Sequence, residues 1–163
     1  MRAPAAIFLV LVLAGCSSPA PADRACKLAL SGNVVETADL GKDCATLEAS
    51  SGGGYSLRVQ GSTAELQALT FRVDLGPAPA TGAYSPASVA SWSASALRSS
   101  KSACILSAGS TSVPQGYFAL DLESVEARAG GVAHGSLDLA MNVHAPPATE
   151  CGPGDTEQVT LQF

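Results

Sequence analysis

Residues 69–75 read Leu-Thr-Phe-Arg-Val-Asp-Leu, a strict alternation of apolar and polar side chains. Because successive side chains of a β-strand point to opposite faces, this period of two predicts a strand with one face in the core and one in water. Half-buried strands of this kind are typical of antiparallel sheets. We therefore expect Leu69, Phe71, Val73 and Leu75 to form the buried face of an antiparallel strand.

The same alternation recurs along the chain after residue 25. Further strands are predicted at residues 26–30, 34–35, 55–60, 90–96, 104–106, 118–123, 137–143 and 159–163. The alanines of residues 90–96 also admit a helix, but serine at every second position favours a strand. Residues 39–48 admit one short helical turn, which Gly41 disfavours. With about nine strands, the sequence predicts an all-β fold: an antiparallel β-sandwich, with a closed or partly open β-barrel as the alternative.

The amino-terminal stretch has a different composition. Arg2 precedes an apolar run from Ala5 to Leu13, and small residues follow it. A positive residue, a short apolar run and small residues form the layout of a secretory signal peptide. A membrane-spanning helix needs about 20 apolar residues, so this run is too short to be one. We expect an exported protein.

Leu13-Ala14-Gly15-Cys16 lies directly at the end of that run and resembles the lipobox of bacterial lipoprotein precursors. The resemblance implies that residues 1–15 are removed and that Cys16 is lipidated, which anchors the chain to a membrane. Ser17 stands where an Asp would be the inner-membrane retention signal, which implies the outer membrane. A competing cleavage site at Ala20-Pro21-Ala22 lies farther from the apolar run and would discard Cys16.

Composition then bounds the rest of the chain. Residues 16–25 are rich in Ser, Pro and Ala and are typical of a semi-extended tether. Residues 26–163 have the size of one domain, which we expect to be β-rich. A net charge of −5 argues against nucleic acid as a partner, since nucleic acid is bound by clustered Lys and Arg.

Four further cysteines occur in this exported chain: Cys26, Cys44, Cys104 and Cys151. An even number in an oxidising compartment predicts two disulfides, for which three pairings exist. We favour Cys26–Cys44 with Cys104–Cys151, because each pair brackets a contiguous group of predicted strands. The alternative of a zinc site lacks a Cys-x-x-Cys pair.

One set of polar residues suggests a metal site. His134, Asp138 and His144 share one parity, so on a single strand they would lie on the same face. Four residues of strand span about 13 Å, however, whereas metal ligands lie about 2 Å from the ion. We expect a solvated polar face and no metal, although Gly135 beside His134 is typical of a β-bulge.

Other catalytic and binding motifs are equally weak. Asp121 and Glu123 have a spacing compatible with glycosidase chemistry, but the alternation turns both outward, where nothing would separate their pKa values. Residues 49–54 match neither a nucleophile elbow nor a phosphate-binding loop, so no cofactor and no nucleotide is expected. Tyr84, Trp92 and Tyr117 are expected to pack in the core rather than to line a ligand surface.

The sequence therefore predicts an outer-membrane-anchored lipoprotein of the cell envelope, facing the periplasm or the cell surface. Its partners would be the membrane, through lipidated Cys16, and an envelope protein or glycan. The expected function is that of a non-catalytic structural or interaction module. Two alternatives are a β-barrel carrier of an apolar ligand and an envelope enzyme that acts on glycans.

Overall fold

The computed structural model describes residues 25–32, 35–42, 44–98, 104–111, 116–144 and 156–163. The described residues form eleven β-strands and no helix. The strands are β1 Cys26–Ser31, β2 Glu36–Gly41, β3 Ala45–Ala49, β4 Tyr55–Gly61, β5 Leu66–Gly76, β6 Gly82–Tyr84, β7 Trp92–Arg98, β8 Cys104–Gly109, β9 Tyr117–Val125, β10 Ala133–His144 and β11 Thr156–Gln162. The lipobox, Cys16 and Cys151 lie outside the described residues. No helix of the length and hydrophobicity of a membrane span occurs in the described part.

All strands belong to one antiparallel sheet in the order β2-β1-β11-β10-β8-β7-β5-β4-β3, which curls into a half-barrel. β10 is the longest strand, with 12 residues. It pairs with β11 along one edge, and along its other edge with β9 first and β8 farther on. β9 in turn pairs with β6. β10 thus joins a six-strand half (β2, β1, β11, β10, β9, β6) to a five-strand half (β8, β7, β5, β4, β3).

Two contacts hold the curled sheet together at its ends. The β3 edge returns to the start of β10, where Leu47 donates to the Gly131 carbonyl and accepts from the Gly130 amide, both at 2.8 Å. The β2 edge is held against the β4–β5 connection by the Glu36 carboxylate. It accepts hydrogen bonds from the Thr63 hydroxyl and from the amides of Ala64 and Glu65. Both ends of the sheet are therefore fixed to other parts of the fold.

A single apolar core fills the space inside the curl. Phe71 of β5, Trp92 of β7 and Phe118 of β9 form its aromatic centre, with ring centroids 4.9–6.5 Å apart. Aliphatic side chains of both halves surround these rings, so the two halves pack face to face as in a sandwich. Because the inward side chains pack against one another, they act as a core and give no support to a ligand chamber.

The predicted all-β antiparallel fold is confirmed. The side chains predicted to face inward on β5 are buried, namely Leu69, Phe71, Val73 and Leu75. The alanine-rich segment is strand β7, so its helical alternative is wrong. The helical turn proposed within residues 39–48 is also wrong, because residues 45–49 form β3. The strand expected at residues 34–35 begins instead at Glu36. β3 and β6 were not predicted: most of β3 was included in the possible helical turn at residues 39–48, and β6 has only three residues.

The disulfide Cys26–Cys44 is confirmed, with the two Cα atoms 6.2 Å apart. It joins the first residue of β1 to the residue just before β3. Cys104 is also disulfide-bonded, but its predicted partner Cys151 lies outside the described residues. Both bridging sulfurs of the first disulfide are in buried residues, so the bond is part of the core.

Candidate functional site

The polar residues singled out in the sequence lie on β9 and β10. Asp121, Glu123 and Asp138 are exposed, as the alternation predicts, and His134 is half-buried. The β9–β10 register shifts between His134 and Gly135, which confirms the expected bulge. Asp121 and Asp138 are diagonal neighbours on adjacent strands, since Asp121 is paired with Ser136.

These residues do not form a metal centre in the part of the chain that the structure describes. There, no group of three His, Cys, Asp or Glu side chains is placed to hold an ion. His144 is the last residue of β10, and its side chain lies outside the part of the chain that the structure describes. Acid and base catalysis by Asp121 and Asp138 would need burial to hold one carboxyl protonated. Both are exposed, and so is Glu123, the other half of the carboxylate pair noted in the sequence.

Side chains of the six-strand half that point away from the core form a surface that we call the outer face. The strand register arranges them in three rows that run across the strands. The first row is Asp121, Ser136, Gln162, Lys27 and Asp39; the middle row is Ala119, Asp138, Thr160, Ala29 and Thr37; the third row is Tyr117, Ala140, Gln158 and Ser31. One surface thus collects residues from opposite ends of the chain.

The middle row is made of small side chains, two Ala, two Thr and one Asp, whereas the first row contains Gln162 and Lys27. The middle row therefore forms the floor of a shallow groove that runs across the sheet. Depressions of about 430 Å³ at β1, β2 and β11 and about 310 Å³ at β6, β9 and β10 lie along it. A third, of about 570 Å³, lies beside the first row between Lys27 and Glu123. Each falls in the size range of small-ligand sites.

Charges on the outer face are mostly negative, with Asp39, Asp121, Glu123 and Asp138 against Lys27. Thr160 donates to the Asp138 carboxylate at 2.8 Å, and the Gly41 amide donates to Asp39 at 2.9 Å. Within the described residues Lys27 and Asp121 enter no ion pair or side-chain hydrogen bond, although Lys27 is paired in register with Asp39. These two groups are available to a ligand.

The outward surface of the five-strand half, which we call the paired face, is organised differently. Glu48 of β3 accepts from Arg58 of β4 at 2.9 Å and lies 3.4 Å from Arg72 of β5. Asp74 accepts from the Gly76 amide at 2.9 Å. On this surface the charged groups bind one another or the backbone, so they have less capacity for an external ligand.

The aromatic residues divide between core and surface. Trp92 is buried, which confirms the expectation for it. Tyr84 is half-buried, and its hydroxyl donates to the Ala80 carbonyl at 2.9 Å. The expectation for Tyr117 is wrong: it is 54% exposed and lines the depression at β6, β9 and β10. Its parity, opposite to that of Phe118, is the signal that predicts its exposure.

Comparison of the chain with protein-family models, with curated proteins and with solved structures finds no match. The functional interpretation therefore rests on the chain's own residues. Of these, the outer face combines a groove with available polar groups, and we take it as the candidate functional site.

Proposed function

We propose that the protein is a lipid-anchored module of the cell envelope that binds another envelope component through its outer face, without catalysis. The observation that carries this proposal is the groove floored by small residues and bordered by Lys27 and Asp121, which have no partner among the described side chains. Small-ligand sites are concave and use a few polar groups to orient the ligand, and Lys27 and Asp121 could take that role here.

The anchor is proposed from Leu13-Ala14-Gly15-Cys16 alone. A single acyl chain gives only marginal membrane binding, whereas the two or three chains of a lipidated amino-terminal cysteine give stable anchoring. Residues 16–25 would then act as a tether between the lipid and β1. Outer-membrane attachment follows the same resemblance, through Ser17.

An interaction role accounts better for the described residues than the two alternatives do. A carrier needs interior space, but Phe71, Trp92 and Phe118 pack against each other at the centre of the curl. An enzyme needs converging groups with separated proton affinities, but Asp121 and Asp138 are both exposed.

Site-specific photo-crosslinking in intact cells tests the binding role. A photoreactive phenylalanine analogue replaces Thr37 in the middle row or, as a matched control, Ser95 on β7. Both positions are exposed on a strand, but Ser95 lies on the paired face. We expect a discrete adduct from Thr37 and none from Ser95. Equal adducts from both positions, or none from either, would contradict the proposal.

Fractionation tests the anchor separately. Cys16→Ser removes the thiol that would be lipidated, and we expect the protein to move from the membrane fraction to the soluble fraction. Cys151→Ser is the control for loss of a cysteine that is not the lipid attachment site. Continued membrane association of the Cys16→Ser protein would overturn the anchor and leave the crosslinking result unaffected.

A further inference from the structure

We infer that the occupant of the outer face is a sugar polymer with free amino groups, which lies across the strands along the middle row. The inference rests on the proposed function and names the chemistry of its ligand. Three properties of the outer face lead to it: the spacing of its rows, the kind of polar groups that it presents, and the sign of its charge.

The spacing of the rows matches a polymer that repeats at the distance between strands. Neighbouring strands lie about 4.8 Å apart, so the middle row offers a side chain at that step over five strands, from Ala119 on β9 to Thr37 on β2. An extended β-1,4-linked hexose chain advances by slightly more than this step per sugar, which places roughly one sugar over each strand. An extended peptide advances about 3.3 Å per residue and falls out of step with the strands.

The polar groups suit hydroxyl-rich ligands. Thr37, Thr160 and Ser136 present hydroxyls, and Gln162 presents an amide that can both donate and accept. Protein interfaces depend instead on aromatic and apolar anchors at their centre. The large apolar side chains that stand out as exposed in the described chain are Val35, Ile105 and Tyr117. Tyr117 ends the third row on β9 and Val35 directly precedes β2 at the opposite side, so neither lies at the centre of the outer face.

The charge distinguishes among sugar polymers. Among the described residues, Asp39, Asp121 and Asp138 against Lys27 make the outer face negative, which disfavours uronate, sulfate and phosphate groups and favours amines. The carboxylates are spread along the groove, with Asp121 and Asp39 at opposite ends of the first row and Asp138 in the middle row. A ligand with an amine on every sugar is complementary to charges distributed in this way, whereas a single cation is not.

Titration calorimetry on the full-length protein in detergent tests this with three probes of equal length. They are a glucosamine hexamer, an N-acetylglucosamine hexamer and a lysine hexapeptide. We expect the glucosamine hexamer to bind at least about tenfold more tightly than either of the others, because only it combines amines with the sugar spacing. Equal binding of the lysine hexapeptide would overturn the inference in favour of a basic peptide, and equal binding of the acetylated hexamer would overturn the role of the amines.

A pair of variants locates the binding. Asp121→Asn removes a carboxylate from the first row, and we expect the affinity for the glucosamine hexamer to fall about tenfold, the effect of one charged hydrogen bond. Glu126→Gln makes the same change in charge at the β9–β10 turn, where Glu126 pairs with Arg128, and is expected to leave the affinity unchanged. Equal losses in both variants would mean that net charge alone drives binding and would overturn the inference. Thermal unfolding checks that both variants are folded.

The interaction role and the identity of the ligand are tested separately by these experiments. If no hexamer binds but the analogue at Thr37 still gives its discrete adduct, the amino-sugar inference is wrong and the interaction role stands. If Thr37 gives no adduct, the interaction role fails whatever the calorimetry reports.

Discussion

The outer face and the paired face belong to the same sheet, yet they use their charges in opposite ways. On the paired face Glu48 lies between Arg58 and Arg72, so charges from three neighbouring strands bind one another. On the outer face Lys27 and Asp121 are left without an ion pair among the described residues, and the middle row beside them is made of small side chains. Composition alone does not distinguish these two surfaces; the pairing of the charges does.

This comparison requires that the two halves fold as one unit, and the Cys26–Cys44 disulfide tests that requirement with the largest expected effect. It links β1 of the six-strand half to the start of β3 in the five-strand half. Replacing both cysteines by serine should lower the free energy of unfolding by about 3 kcal/mol, because the loop of 18 residues is no longer closed in the unfolded chain. Urea unfolding followed by fluorescence of the single tryptophan, Trp92, measures the change.

The comparison for this double variant is the wild-type protein in a reductant, which should lose at least as much stability, because reduction also opens the disulfide of Cys104. The double variant should still unfold in a single transition, with its midpoint at a lower urea concentration than that of the wild type. Two separate transitions would mean that the halves unfold independently, and an unchanged midpoint would mean that the disulfide does not stabilise the fold.

The shape of the outer face depends on Gly135, and the second prediction concerns this residue. A Cβ at Gly135 would collide with the backbone oxygen of Asp121 on β9. Gly135→Ala should therefore force β9 away from β10 at the bulge, with a loss of about 1–3 kcal/mol in the free energy of unfolding. Affinity at the outer face should fall as well, because the first row is displaced.

Gly52→Ala is the matched control. Its added Cβ would meet only the Ser50 hydroxyl, at 4.0 Å, in the β3–β4 loop. Thermal unfolding and glucosamine-hexamer titration of both variants measure the effects, and Gly52→Ala should match the wild type in both. If Gly135→Ala also matched the wild type in both, the outer face would not depend on the β9–β10 register.

The smallest expected effect concerns the paired face. Glu48→Gln removes the charge that pairs with Arg58 and Arg72, whose side chains are 39% and 50% exposed. Because solvent screens such pairs, the free energy of unfolding should fall by only about 0.5–1 kcal/mol. Binding at the outer face should not change. A loss of ligand affinity in Glu48→Gln, measured by calorimetry, would remove the distinction between the two surfaces.

Much of the fold could be predicted from local sequence, because alternation is a property of neighbouring residues. It identified the buried faces of β5 and β10 and the outward direction of Asp121 and Glu123. The Cys26–Cys44 pairing also followed from the grouping of predicted strands. β6 escaped prediction because it has only three residues, and β3 because its alternation was passed over in favour of a helical turn at residues 39–48.

The groove could not be predicted in the same way. Its rows depend on which residue of β1 lies opposite which residue of β11 and β2, and strand register is set by packing between distant segments. Nothing in the sequence therefore indicated that Lys27, Thr160 and Thr37 lie on one surface. Tyr117 was misassigned for another reason: the scarcity of aromatic residues was given more weight than its parity, which was correct.

The position of the disulfide also governs how the domain responds to a pulling force. Tension applied ahead of the domain reaches Cys26 first, because it is the first residue of β1. The covalent bond passes that tension directly to Cys44, beside β3. The β1–β2 hairpin lies inside the covalent loop, so its residues cannot be drawn out into an extended chain while the disulfide is intact. Extension from that side must therefore break the hydrogen bonds of β3 to β4 and to the β9–β10 turn as well as those of β1 to β11.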